Sequence, residues 1–345
     1  MKEDTRIVVI GTSAGGHDAL RALFKDIPAD INAIFLVVQH AATNSTSYFA
    51  GSLAEVTALK VQYAEQDMVV ETGNVYLSIP DFHLLINGKK LFLSKGPTEN
   101  LSRPAIDPLF RTAAANFGHR VIGIILTGLL NDGTSGLQAV KNCNGLTIVQ
   151  NPNDAQYSDM PEFALKTVKP HFCCNVADMG QKIIELVASD PPEKKEIPKY
   201  IKQEAAISMK IASRIRLEEE IGEQVPISCP DCDGPLWLME HEKNIPRYRC
   251  HTGHGFTLES LLVGQSAKIE ESLWVALRTL EERIVLLEKS VATNKNRGFN
   301  TLVNSLERKI EEATRSRDTL KEAMNIPPPK LNEEEFLKKE LPDCA

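Results

Sequence analysis

Along residues 1 to about 188, short apolar runs alternate with stretches of helical spacing. "RIVVIG", "AIFLVVQH", "NVYLSIP", "KLFLS", "VIGIILTG" and "GLTIVQN" are rich in β-branched residues and bounded by turn formers, so each predicts a strand. Between them, "HDALRALFKDI", "PLFRTAAANFG", "SGLQAVKN" and "MGQKIIELVAS" repeat apolar residues at intervals of three and four, as helices do. Strands alternating with helices predict an α/β fold: a doubly wound, mainly parallel sheet with helices on both faces. One antiparallel excursion is expected, pairing "VYLSIP" with "KLFLS" around "DFHLLINGK", where "NGK" is a turn signal.

Beyond residue 188 the pattern changes. Prolines and charges from "SDPPEKKEIPK" onward predict a linker, with some helix, over 189–226. A compact segment follows at 227–256, holding Cys229, Cys232, Cys250 and the histidines of "CHTGH". Then Leu258, Leu262, Ile269, Leu273, Leu277, Leu280, Ile284, Leu287 and Val291 form a heptad-like seam. "NKNRGFN" interrupts it, and Leu302, Leu306, Ile310, Ala313, Leu320 and Met324 resume it, so an antiparallel helical hairpin is expected over 257–326. The last segment, 327–345, reads as a flexible tail.

Composition narrows the function classes. The net charge of -7 offers no basic field for nucleic acid or for an anionic membrane surface. No run approaches the roughly 20 apolar residues of a membrane-spanning helix, and "MKEDTRIVVIG" does not look like a signal peptide, so a cytoplasmic protein is expected. In that setting seven cysteines argue against a disulfide framework. Cys143, Cys173, Cys174 and Cys344 lack ligand spacing and read as packing residues.

The first candidate for chemistry is "GTSAG", Gly11 to Gly15. It matches G-x-S-x-G between a strand and a helix, a setting in which a sharp turn frees the Ser13 hydroxyl. The backbone N–H groups at the helix start, around Gly15 and Gly16, suit an oxyanion as well as a phosphate. An ordinary strand-to-helix turn is the competing reading. No dinucleotide or P-loop pattern is present. His40 ends the second strand, and Asp132 follows a later one in "GIILTGLLNDGTSG", where it would also serve as a helix cap. All three stand at carboxyl ends of predicted parallel strands, where ligands gather in such sheets. A base next to serine and a carboxylate behind the base is the arrangement of a serine hydrolase.

"IGTSAGG", "VVQH", "RPAIDPLF" and "LTGLLNDGTSG" closely resemble the catalytic domain of the CheB family, the protein-glutamate methylesterases of bacterial chemotaxis, over about residues 5 to 188. The resemblance implies Ser13 as nucleophile, His40 as base and Asp132 as orienting carboxylate, with no cofactor for catalysis. It implies hydrolysis of glutamate γ-methyl esters on a methylated chemoreceptor or a related signalling protein, and glutamine deamidation besides. It places Thr12, Ala14 and Gly15 around the nucleophile, and Leu129 where the family usually has a methionine whose backbone N–H serves the oxyanion. Leu130 and Asp159 stand where glycine is usual. Asp81 and His83 in "IPDFHLL" read as surface-loop residues, with substrate contact as the functional alternative. The family's receiver domain has no counterpart before Arg6, so control by a phospho-acceptor within the chain is not expected.

"CPDC" and "CHTGH" place Cys229-x2-Cys232 ahead of Cys250-x3-His254, the spacing of a zinc ribbon, with His251 as competitor for the fourth position. A structural zinc is expected, since so small a segment has little else to fold around. Arg247, Tyr248 and Arg249 form a small basic cluster, but the acidic helices that follow oppose nucleic-acid binding. A protein partner or self-association suits the long seam better. Two other functions compete with the esterase: a non-catalytic signalling adaptor that keeps the pocket, and nucleotide binding at "GTSAGG".

Overall fold

A computed structural model describes residues 4–40, 49–209, 222–239 and 245–324. The apolar runs form seven strands: β1 (Arg6–Thr12), β2 (Ala33–Gln39), β3 (Lys60–Tyr63), β4 (Asn74–Leu77), β7 (Val121–Ile125), β8 (Leu146–Gln150) and β9 (Phe172–Cys174). They pair in the order β3-β4-β2-β1-β7-β8-β9, and every pair is parallel. β1 is buried along its whole length, as a strand covered on both faces must be.

The pleat sends alternate residues of each strand to opposite faces. Ile7, Val9, Ile34, Leu36 and Val149 pack with Leu109, Phe110 and Leu137 on one side. Val8, Ile10, Phe35, Val37, Ile122 and Ile124 pack with Leu20, Leu23, Met179 and Ile183 on the other. Those helical residues belong to α3 (Ile106–Phe117) and α4 (Thr134–Asn142) on the first face, and to α1 (Gly16–Phe24) and α6 (Val176–Ala188) on the second. The remaining helices of this part are α2 (Phe49–Ala54), α5 (Asp159–Val168) and α7 (Lys199–Ser208).

The antiparallel excursion differs from expectation. "NVYL" joins the main sheet as β4, and the hairpin pairs β5 (His83–Asn87) with β6 (Lys90–Ser94) around Gly88. The turn signal was correct but its upstream partner was not, because "HLLIN" is itself a buried strand. β3 and β9 are short edge strands that the apolar pattern did not announce.

After α7 come four antiparallel strands: β10 (Gly222–Ser228), β11 (Pro235–Met239), β12 (Arg247–Cys250) and β13 (Gly255–Thr257). The segment expected to link the halves is partly built in, since Ile201, Glu204 and Ala205 of α7 are buried. β10 begins five residues ahead of the expected 227. The described residues divide into two compact units, one running to Leu261 and the other starting at Leu262.

In the second unit, α8 (Leu258–Lys295, its first turn lying in the first unit) and α9 (Asn300–Met324) flank a turn at Gly298. Lys321 pairs with Glu281 across the two helices at 2.9 Å. Leu277, Ile284, Val303, Leu306 and Ala313 are buried, whereas Leu258, Leu262, Ile269 and Leu302 of the expected seam are exposed. The seam therefore works only over the stretch where both helices run side by side. Residues 325–345 lie outside the described residues, and with them the expected tail and Cys344. Cys143 and Cys174 are free thiols, as expected of packing residues, whereas Cys173 is disulfide-bonded.

Candidate active site and Cys/His cluster

The strand order reverses at β1, whose neighbours β2 and β7 lie on either side, so the carboxyl ends of these three strands open onto one crevice. Ser13 follows β1. Its N–H donates to Thr127 O after β7 (3.0 Å), and the His40 N–H donates to Thr12 O (3.1 Å). Two backbone bonds thus hold the serine between the segments that follow its neighbouring strands. Gly15, at φ 75, makes the turn into α1. Gly128 is needed for close approach, because a Cβ there would stand 2.8 Å from the Ser13 Cβ and collide with Met160. Thr12 is buried and its hydroxyl donates to Thr127 O, while Ala14 O accepts from the Thr127 hydroxyl.

His40 Nε2 donates to Asp132 Oδ2 at 2.8 Å. With Nε2 engaged, Nδ1 is the ring nitrogen left to act as base. Asp132 is buried, and Oδ2 also accepts from Ile106 N (2.6 Å), while Oδ1 accepts from Asn100 Nδ2 (2.8 Å) and Gly133 N (2.9 Å). Burial works against the charged carboxyl, but these donors and the imidazole win, and its pKa lies below the usual carboxylate range. Neighbouring Asp107 moves the opposite way, pushed up to about 6 by burial and by the Asp132 charge. An ionised carboxylate, an oriented imidazole and a serine at one crevice are the parts needed for acyl transfer.

The other expected contacts distribute unevenly. Leu129 and Leu130 are exposed at 49% and 39%, forming an apolar lip beside Gly128. Leu130 takes a left-handed backbone, φ 61, and its N–H points to Asp159 Oδ2 at 3.4 Å. The two departures from glycine are therefore neighbours. Asp81 is engaged by Arg103 and Lys95, and the Arg103 hydrogen bond first of all holds its carboxyl below the ordinary range. His83 is buried in β5 and not on a surface loop. Its Nε2 donates to Pro97 O (2.9 Å) and its Nδ1 accepts from Ala105 N (3.2 Å), which occupies both nitrogens. Burial lowers its pKa.

A second cluster lies in the antiparallel sheet. The ligand atoms of Cys229, Cys232, Cys250 and His254 all lie within 4.8 Å of one another, so the group can hold a metal ion. His251 instead stacks edge-on against Trp237. Behind His254, Asp231 Oδ2 stands 3.9 Å from Nε2 and accepts from the Thr98 hydroxyl at 2.6 Å.

Sequence reading missed how this sheet attaches to the first. Arg249 reaches Glu99 at 3.0 Å, Arg247 pairs with Glu204, and Arg111 pairs with Glu99, all buried. Burial opposes the Glu99 charge, yet Arg111, Arg249 and Arg247 hold its carboxyl well below the usual range. The arginines of the small basic cluster are spent on internal carboxylates. Asn100, also missed, touches both Asp132 and the second sheet.

The model of the CheB methylesterase family matches residues 8–183, just over half of the chain. The chain belongs to that family. A Leptospira interrogans relative is 34% identical over 180 residues, 52% of this chain and 93% of its own length. A Pyrococcus horikoshii relative, named protein-glutamate methylesterase/protein-glutamine glutaminase, is 33% identical over 184 residues. The chain spans about half of that relative's length (50%). The crystal structure of the Thermotoga maritima CheB methylesterase catalytic domain superposes with a TM-score of 0.51 at 32% identity, covering 98% of that domain and 52% of this chain. The seven-stranded parallel sheet with its flanking helices is thus the CheB catalytic fold. Among the described residues no helix is long and apolar enough to cross a membrane.

Proposed function

We propose that this chain is a protein-glutamate methylesterase that hydrolyses glutamate γ-methyl esters, and deamidates glutamine, on a methylated chemoreceptor or related signalling protein. The observation that carries the reading is the 2.8 Å His40–Asp132 bond beside a serine held against Thr127. His40 Nδ1 takes the Ser13 proton as Oγ attacks the ester carbonyl. The tetrahedral oxyanion is met by backbone N–H groups of Ala14, Gly15 and Leu129, because the Ser13 N–H is already given to Thr127 O and the Gly16 N–H to Ser13 O. The imidazolium, stabilised by Asp132, returns the proton to the departing methanol, or to ammonia from glutamine. Water activated by the same imidazole then releases glutamate from Ser13. Thr12 sets the turn through Thr127, and neither Asp81 nor His83 is given a substrate contact. In this reading residues 1–188 form the enzyme domain, and α8 and α9 meet a protein partner.

A fluorophosphonate should label the wild type and not Ser13→Ala, and labelling should collapse in His40→Ala. Methanol release from methylated receptor should follow the same order. Equal labelling of wild type and Ser13→Ala would remove the serine from the chemistry.

We also infer that Cys229, Cys232, Cys250 and His254 Nδ1 hold a structural zinc ion. The separations support it: Cys232–Cys250 Sγ at 3.6 Å, and His254 Nδ1 at 3.7 and 3.4 Å from Cys229 and Cys250 Sγ. Tetrahedral zinc–thiolate bonds of about 2.3 Å set edges of about 3.8 Å. Four protein ligands leave no position for substrate, so the ion's work is to cross-link the two turns. Metal analysis of purified protein, with a Cys232→Ser control, tests this.

A further inference from the structure

Asn100 is the most fully used amide near the site. Its two Nδ2 hydrogens go to carboxylates, Asp132 Oδ1 at 2.8 Å and Asp107 Oδ2 at 2.9 Å. Its Oδ1 accepts from Thr257 N at 3.0 Å and from the Ser260 hydroxyl at 3.1 Å. Two donors and two lone pairs leave the amide no alternative orientation, for a flip would set oxygen against two carboxylates. Its own backbone is pinned in the left-handed region, φ 50, by a bond from Asn100 N to Gly255 O at 2.8 Å.

Asn131, next to Asp132, is tied to the same strand end. Its Oδ1 accepts from the Thr257 hydroxyl at 3.0 Å, and its Nδ2 donates to Glu259 Oε2 at 2.7 Å. Residues 255–260 lie outside the part of the chain that the family model matches, which ends at 183. A carboxylate can orient an imidazole only if its own rotation is fixed. His40 and Ile106 hold one oxygen of Asp132, and Asn100 with Gly133 N holds the other.

We propose that Asn100 is a positioning residue for the Asp132 carboxylate, and that residues 255–260, β13 of the second sheet with the first turn of α8, lock it in place, making that sheet a required part of the esterase. The proposal rests on the Ser13–His40–Asp132 reading. It also gives the Cys/His cluster a bearing on catalysis: the cluster folds the turn between β12 and β13, and β13 with the first turn of α8 delivers Thr257 and Ser260 to Asn100.

The test uses the full chain and the fluorophosphonate labelling rate of Ser13 across the pH range in which the wild type reacts. The groups facing Asp132 are His40 after β2, Asp107 from α3 with Arg111 behind it, His83 from β5, and Glu259 beside Asn131. All are retained in the variants. Asn100→Asp keeps the shape and the left-handed backbone but turns a donor into an acceptor facing two carboxylates, while Asn100→Gly keeps only the backbone. Both should lower the maximal rate by about tenfold to a hundredfold, the scale of a misplaced catalytic group. Both should also move the acid limb of the profile to higher pH, because Asp132 loses a donor that favours its charged form. Ser260→Ala, further out, should cost about twofold to tenfold, the worth of one hydrogen bond, with a shift in the same direction.

Folded Asn100 variants with the wild-type rate and profile would overturn the proposal and leave the esterase reading standing. If both Asn100 variants fail to fold, a Ser260→Ala protein indistinguishable from wild type overturns it instead. A wild type labelled no faster than Ser13→Ala brings down the esterase reading, and this proposal with it.

Discussion

The seven-stranded parallel sheet and the four-stranded antiparallel sheet reach stability by opposite means. The first is covered on both faces, and β1, β2 and β7 bury side chain after side chain of Val, Ile and Leu. The second has a small core cluster of buried Cys229, Leu236, Cys250, Phe256 and Leu261 among the described residues, and two of these are thiols of the candidate metal cluster. What it lacks in apolar burial it replaces with the cluster and with buried arginine–carboxylate pairs to its neighbour. A sheet too small for its own core depends on cross-links and on a host, and so becomes a sensor of both.

Stripping the proposed zinc from the cluster should have the largest effect, because ligand-bound zinc supplies folding energy of about 10 kcal/mol or more in segments of this size. The chain has two tryptophans, Trp237 in β11 and Trp274 in α8, and none in the parallel sheet. In a Trp274→Phe background, a chelator should therefore shift Trp237 fluorescence while most far-UV dichroism persists. Simultaneous loss of both signals would erase the distinction between the sheets.

Glu99→Ala should cost about 3–5 kcal/mol, because it takes from buried Arg249 its carboxylate and leaves buried Arg111 with only Glu204 and Asp107. Urea unfolding would measure it, and Trp237 should respond at lower urea than the far-UV signal. Ile124→Ala, in the centre of the parallel sheet, should cost about 2–4 kcal/mol with both signals moving together.

Acid should separate the sheets too. Against burial, their arginines depress the Glu99 and Glu204 pKa values in the folded state. Their stabilising contribution is thus complete above the unfolded carboxylate range, near pH 4, and is lost as pH falls through the folded values. Trp237 fluorescence should change on that descent before the far-UV signal does, and Glu99→Gln should blunt the difference. The smallest effect is expected at the rim: Leu130→Gly should stabilise by less than about 1 kcal/mol, by relieving a left-handed backbone. A lower melting temperature would mean that the apolar lip matters more than the strain.

The same contrast explains what was legible in the sequence. The parallel sheet could be read because its information is local: β-branched runs, turn residues after them, and helical spacing between them. Ser13, His40 and Asp132 stood out because each closes such a run. Arg247 and Arg249 read only as a small basic cluster because their partners, Glu204 and Glu99, lie far away in the chain and no local pattern announces a buried ion pair. His83 was misplaced because "DFHLL" begins with loop residues and ends as strand. Asn100 gave one faint signal, an asparagine in the turn-rich "PTENLSRP", the residue type that best tolerates a left-handed backbone after glycine. Its importance depends on Ser260, 160 residues downstream.

That separation bears on how the molecule comes into being. During synthesis the parallel sheet can close once β9 has left the ribosome, with serine, imidazole and carboxylate already present. The amide oxygen at position 100 gains its last donor only when residue 260 emerges, a long-range closure of the kind that forms late. A nascent chain would thus carry an unfinished hydrolase until its final quarter began to appear, and protein ester groups nearby would be spared premature cleavage.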